Sequence, residues 1–200
     1  MSDMSLAMNE TDRLKVMALL SGVRDGAPRV LSRAVNKTLD GVRTDADREI
    51  RSIVTLKKKD VMATFSTRKA SVRSLSARVV CSDKPQSLIK FSTSQRKTGV
   101  SVKVLKSSGR TVLKHAFYAA AAGAGQIWER KYKGRGQSAR RAIAYGALPK
   151  KYRLPVEKLT GPRVADIMGK PTVLKKIRNQ ADERLHKNID QQLKYELSRL

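Results

Sequence analysis

The residues of this chain that could do chemistry are few. They are His115 and His186, the single Cys81, and two groups of carboxylates: Asp45, Asp47 and Glu49, then Asp182, Glu183 and Asp190. Acid–base catalysis needs a histidine or carboxylate positioned against a second such group in a cleft. His186 lies in the charged run "ERLHKN", where a solvated side chain is expected, and His115 lies in "LKHAFY", where the surface or core edge of a strand is expected. The first carboxylate group stands beside Arg43, Arg48 and Arg51 and the second beside Arg178, Arg184 and Lys187. Ion pairing between neighbouring turns of a helix accounts for both.

Between residues 57 and 153 the only carboxylates are Asp60, Asp83 and Glu129, too few for a hydrolase or nuclease cleft. "GRGQSARR" lacks the Lys-Ser/Thr of a phosphate loop, and "GAGQ" lacks the third glycine of a dinucleotide site. One cysteine excludes an internal disulfide or a multi-cysteine zinc site, and Cys81 in "RVVCS" reads as a small core residue. The expectation is a protein that is not an enzyme and holds no cofactor or metal.

Cations are the group that remains. The chain holds 43 Lys and Arg against 17 Asp and Glu, a formal net charge of +26. That surplus calls for an anionic partner. It is uneven: residues 1–26 carry three basic and four acidic side chains, residues 57–110 carry 14 and two, and residues 131–153 carry eight and none. "IKFSTSQRKTGVSVKVLKSSGRTVLKHAFYA", 89–119, has seven Lys or Arg and no carboxylate, yet Val100, Val102 and Val104 alternate with Gly99, Ser101 and Lys103 as in a half-buried strand. The candidate partner-facing residues are therefore Lys90, Arg96, Lys97, Lys103, Lys106 and Arg110. To these are added Lys131, Lys133, Arg135, Arg140 and Arg141 of the glycine-rich segment "KYKGRGQSARR", a frame suited to following a phosphate backbone. No helix-turn-helix, zinc finger or aromatic stacking array is visible, so charge and shape would be sensed rather than sequence.

The elements that must position these residues follow from periodicity. Val30, Leu31, Ala34, Val35, Leu39, Val42, Ala46, Ile50 and Ile53 recur at helical spacing from Ala27, with Pro28 suited to a first turn and Gly41 an interruption. "ETDRLKVMALLSG" predicts a helix before it, and Lys57 to about Ser66 a short helix after it, with Thr55 as its cap. Period two takes over from Leu75, Ala77, Val79 and Cys81, then Leu88–Phe91, Val100–Val104, Thr111–Tyr118 and Ile127–Arg130. "AAAAGAG", 119–125, reads as a loop or a close backbone contact. Leu174, Ile177, Ala181, Leu185, Ile189, Leu193 and Leu197 mark a closing helix whose fourfold spacing drifts about 40° per step, so its stripe can meet two neighbours in succession.

The fold class expected is α+β: a central antiparallel meander flanked by a long N-terminal helix and a long C-terminal amphipathic helix. Residues 1–26 are expected as a helical extension, and 27–200 as one domain. Within it, 27–70 are helical, 71–130 form the sheet, 131–153 a basic loop, and 154–200 a short strand and the closing helix. No stretch approaches the roughly 20 apolar residues of a membrane helix, and no targeting segment is visible.

With these pieces in order, the chain resembles the prophage minor tail protein Z family, the tail completion proteins of long-tailed phages. The resemblance runs from about Ala27 to the C-terminus and rests on "AVNKT" with Arg43, on "KTGVSVKV" with the following "HAFYA", and on "LPVEKLTGP" followed by Val164. It departs from the family at "LKHAF", where the pattern has Ile-Pro-Gly before the Ala-Phe pair. The resemblance implies a structural virion protein at the head-proximal end of the tail, assembled in the host cytoplasm, that takes part in tail completion and head–tail joining. Its implied partners are the tail terminator, tail tube and connector, with nonspecific contact to packaged DNA and none to membrane. Tail symmetry implies a homo-oligomeric ring, expected as a hexamer, with Leu174, Ile177, Leu185, Ile189, Leu193 and Leu197 as the subunit-contact stripe. The alternative is a sequence-nonspecific nucleic-acid-binding protein acting in the cytosol.

Overall fold

A computed structural model describes residues 3–6, 9–23, 26–121, 124–130 and 156–199. The chain divides into two compact units, one formed by Met1–Arg51, Lys58–Lys84 and Arg163–Leu200, the other by Ser52–Lys57 and Pro85–Pro162.

Helices dominate the first unit: α1 (Glu10–Leu19), α2 (Gly26–Ile53), α3 (Lys58–Met62), α4 (Val164–Met168) and α5 (Pro171–Leu197). The side chain of Asn9 caps α1 by accepting from the Thr11 N–H, and Pro171 opens α5, where a missing N–H costs nothing. The apolar stripe of α2 is buried along its length, from Val30 to Ile50, as its spacing predicts. At 28 residues the helix is about 42 Å long.

Helix α5 lies antiparallel to α2. Glu196 meets Arg29 and Arg33 at 3.4 and 3.2 Å, the Asn188 amide donates to Thr38 at 2.9 Å, Arg184 meets Asp45 at 2.6 Å, and Lys176 meets Glu49 at 3.5 Å. As the position rises along α2 it falls along α5, which fixes the direction. Helix α5 also meets α1, through His186–Asp12 at 2.7 Å and Asp190–Lys15 at 3.5 Å.

Strands β2 (Phe65–Arg68) and β3 (Ala77–Cys81) complete this unit, with β1 (Asp3–Leu6) on the far side of β3, all antiparallel. The N-terminal extension, expected to be helical, thus contributes a strand as well as α1. The short helix expected to run to Ser66 ends at Met62, because the chain from Phe65 is drawn into pairing with β3. Ala77, Val79 and Cys81 are buried on one face of β3, and Asn36 of α2 fixes the loop after β2 by exchanging two hydrogen bonds with the Ala70 backbone at 2.9 and 2.8 Å.

The second unit holds the remaining strands in three small antiparallel or paired groups rather than one meander. β4 (Pro85–Ser87) pairs with β11 (Thr160–Arg163). β5 (Ser92–Arg96), β6 (Gly99–Lys103) and β7 (Thr111–Leu113) form one sheet. β8 (Ala116–Ala121), β9 (Ala124–Arg130) and β10 (Val156–Lys158) form another, with β9 central. The predicted strand at Leu88–Phe91 is a 3-10 turn, and Thr111–Tyr118 splits into β7 and β8 in different sheets. "AAAAGAG" enters the β8–β9 hairpin. Thr55, expected to cap a helix, instead aims its hydroxyl at the Lys103 carbonyl while its N–H donates to Val104 O at 3.0 Å.

Candidate functional site

Every second side chain of a strand shares a face, so the register of β5–β6–β7 decides which cations meet. Val100 and Val102 of β6 point to one face, with Thr93 and Gln95 opposite on β5. Ser92, Ser94 and Arg96 of β5 share the other face with Ser101 and Lys103 of β6. Val100 and Val102 are buried as expected, but Ser101 is buried too, so β6 is covered on both faces at its middle and not half-exposed.

The six candidates of this region occupy three places. Arg96 and Lys97 stand exposed at the β5–β6 turn. Lys103, Lys106 and Arg110 gather at the other end of the hairpin, about 13 Å away along the strand by strand rise. There Ser92 lies directly opposite Lys103, and the Arg110 guanidinium donates to Ser92 Oγ at 2.6 Å. Lys90 sits apart on the 3-10 turn (Leu88–Lys90), half-buried, donating to Gln86 Oε1 at 2.9 Å. Lys131, Lys133, Arg135, Arg140 and Arg141 lie outside the described residues.

The two units differ in how their charge is compensated. In the helical unit Arg29 and Arg33 share Glu196, Arg51 binds Asp47 through two of its nitrogens at 2.8–3.0 Å, and Arg48 and Arg184 share Asp45. The hydrogen bonds from Asp47 hold the Arg51 guanidinium more firmly protonated than usual. In the sheet unit the described residues include ten Lys or Arg and two carboxylates, Glu129 and Glu157. Among the described residues, none of Arg96, Lys97, Lys103, Lys106 and Arg110 is ion-paired. Mutual repulsion of such charges is relieved by an external anion.

The catalytic candidates are otherwise engaged. Asp45 and Glu183 share a solvent-open cleft of about 210 Å³ with Arg48, Arg184 and Lys187, so cations crowd both carboxylates. His115 is exposed in the turn between β7 and β8. Cys81 is buried beside the Thr64 hydroxyl at 3.7 Å, and burial pushes its thiol above the ordinary value. Among the described residues, no group of three or more His, Cys, Asp or Glu could hold a metal ion, and no helix is long and apolar enough to cross a membrane.

The stripe expected to join subunits is used within the chain. Ile177, Leu185, Ile189 and Leu193 are buried in the helical unit, Leu174 is half-buried, and only Leu197 is exposed, at 42%. The six residues therefore do not form a free seam. The apolar side chains left outside in this unit are Leu14, Met17 and Leu19 on α1 and Tyr195 beside Leu197 on α5, a set that periodicity did not single out.

Comparison with known proteins returned no match: no family model, no curated protein and no solved structure is similar to the chain.

Proposed function

We propose that this chain is a structural, partner-binding protein of a long-tailed phage or prophage, acting at the head-proximal end of the tail in tail completion and head–tail joining. The observation that carries the binding role is the contrast in charge compensation. The helical unit neutralises its arginines internally, whereas the sheet unit presents Arg96, Lys97, Lys103, Lys106 and Arg110 without ion pairs among the described residues. Cations left uncompensated by the fold are free to meet DNA or an acidic neighbour. The placement in a tail rests on the resemblance of "AVNKT", "KTGVSVKV" and "LPVEKLTGP" to the tail completion family.

The test is charge reversal at both ends of the β5–β6 hairpin: Arg96→Glu with Lys97→Glu, and Lys103→Glu with Arg110→Glu. These residues are exposed or half-buried, so the expected result is a folded protein that no longer supports joining of heads to tails in a complementation assay. Full infectivity from both double variants would refute the binding role. Electron cryo-microscopy of particles tests the placement: ring density at the head-proximal tail end is expected, and absence from particles and tails would leave a nucleic-acid-binding protein of the cytosol in its place.

A further inference from the structure

Phe117 and Trp128 are eleven positions apart in a chain poor in aromatics, and the β8–β9 hairpin sets them directly opposite each other. Lys158 of β10 lies directly opposite Trp128 on its other side. The three residues thus form one cross-strand row, ring, ring and ammonium, on one face of the sheet, at spacings that bring opposite side chains into reach. Both aromatic residues are half-buried and Lys158 is exposed.

What surrounds the row suits the same ligand. The next rung on this face is Ala119 opposite Gln126, a small residue that leaves room beside the Phe117 ring. Gln126 accepts from the Ser87 hydroxyl through Oε1, and its amide N–H groups make no hydrogen bond among the described residues. Glu129 and Glu157, opposite each other, alternate onto the other face, so the carboxylates of this sheet are kept off the aromatic side. The Trp128 indole N–H is enclosed with no acceptor, an unmet donor of the kind that asks for an explanation.

We infer that this face binds single-stranded nucleic acid, with unpaired bases stacking on Trp128 and Phe117 and a phosphate meeting Lys158. Aromatic faces accept any base, which makes such binding sequence-tolerant, and duplex DNA keeps its bases stacked internally and cannot use them. An acidic protein segment would engage Lys158 alone and leave the rings without a role. The inference does not depend on the placement in a phage tail.

Trp128 is the only tryptophan in the chain, so its fluorescence reports on this face directly. The full-length protein is titrated at low salt with fluorescein-labelled oligothymidylate, following anisotropy of the label and, with unlabelled strand, tryptophan emission. The expected result is quenching of Trp128 that saturates together with the anisotropy change, and weaker binding to a duplex. Phe117→Leu keeps apolar bulk and removes a stacking surface; about five- to hundredfold weaker binding is expected. Lys158→Gln is expected to lower the slope of log K against log salt by about one. Circular dichroism checks that each variant folds; should Phe117→Leu fail, the exposed Lys158→Gln and wild-type quenching decide. Oligonucleotide binding with unchanged tryptophan emission, equal affinity for duplex, equal competition by polyglutamate, or no binding at low salt would each overturn the proposal.

Discussion

Gly41 interrupts the best helix in the chain, and the structure supplies a reason for it. A Cβ at this position would lie 2.6 Å from Cδ and 2.7 Å from Cζ of Arg184, far inside contact distance. The glycine is the notch through which Arg184 of α5 crosses α2 to reach Asp45, whose side chain is 4% exposed. The two oppositely charged atoms lie 2.6 Å apart as a close ion pair without the alignment of a hydrogen bond. Gly→Ala inside a helix normally stabilises by about 1 kcal/mol. Here the methyl group must displace the guanidinium and leave Asp45 with Arg48 alone, at 3.7 Å. Removing one partner of a fully buried pair costs about 3–5 kcal/mol. Arg184 is 36% exposed, so solvent screening reduces this to about 1–3 kcal/mol. Gly41→Ala is therefore expected to be neutral to destabilising by about 2 kcal/mol, the difference between the lost pair and the gained helix propensity. In an Arg184→Ala background the obstacle is gone, and the same substitution should stabilise by about 1 kcal/mol. Urea denaturation followed by far-ultraviolet circular dichroism measures all four proteins. The change of sign between backgrounds is the signature. If the two substitutions add within about 0.5 kcal/mol, or Gly41→Ala alone raises stability, the notch explanation is refuted.

Two further outcomes follow from the same geometry. Gly99 has φ +139°, and a Cβ there would lie 2.8 Å from Lys114 Cα, so Gly99→Ala combines backbone strain with a clash against β7's end. A loss of at least about 1–3 kcal/mol is expected, with earlier proteolysis at the β5–β6 hairpin than in the wild type; an unchanged melting temperature would contradict it. Cys81 is buried and its thiol pushed above the ordinary value chiefly by desolvation, with the Thr64 hydroxyl working the other way. It should react with a maleimide only after urea unfolds the chain. Because the folded protein holds its thiol proton more tightly, this residue's contribution to stability is intact below the ordinary thiol pKa and declines as pH rises through it. The wild type should therefore lose more stability at alkaline pH than Cys81→Ala.

The long helices, the buried strand β3 and the strand β6 were legible from residue order alone, because each buries a face against something and burial imprints a period on the sequence. The 28 residues of α2 and the fourfold spacing of α5 carry that imprint plainly. Short-range chemistry set the local ends in the same way, as with Pro171 at the start of α5. Where competition between distant segments decided, the sequence was silent. Phe65–Arg68 left helix for strand because β3, found later in the chain, offered backbone partners. Thr55 turned from a cap to a brace on Lys103 and Val104 for a similar reason.

Amino-acid order by itself determined the excess of cations, the scarcity of groups able to do acid–base chemistry, and the amphipathic helices. These depend on composition and on periods within a single element. Only tertiary structure decided which charges cancel, since Asp45 and Arg184, or Glu196 and Arg29, are far apart along the chain and meet through helix pairing. It likewise decided that the α5 stripe is buried within the chain, that Gly41 is a passage rather than a flaw, and that Phe117, Trp128 and Lys158 stand in one row. The physical reason is common to all of them. A pairing between elements is set by register, and register depends on the packing of whole faces, which no local window of sequence contains.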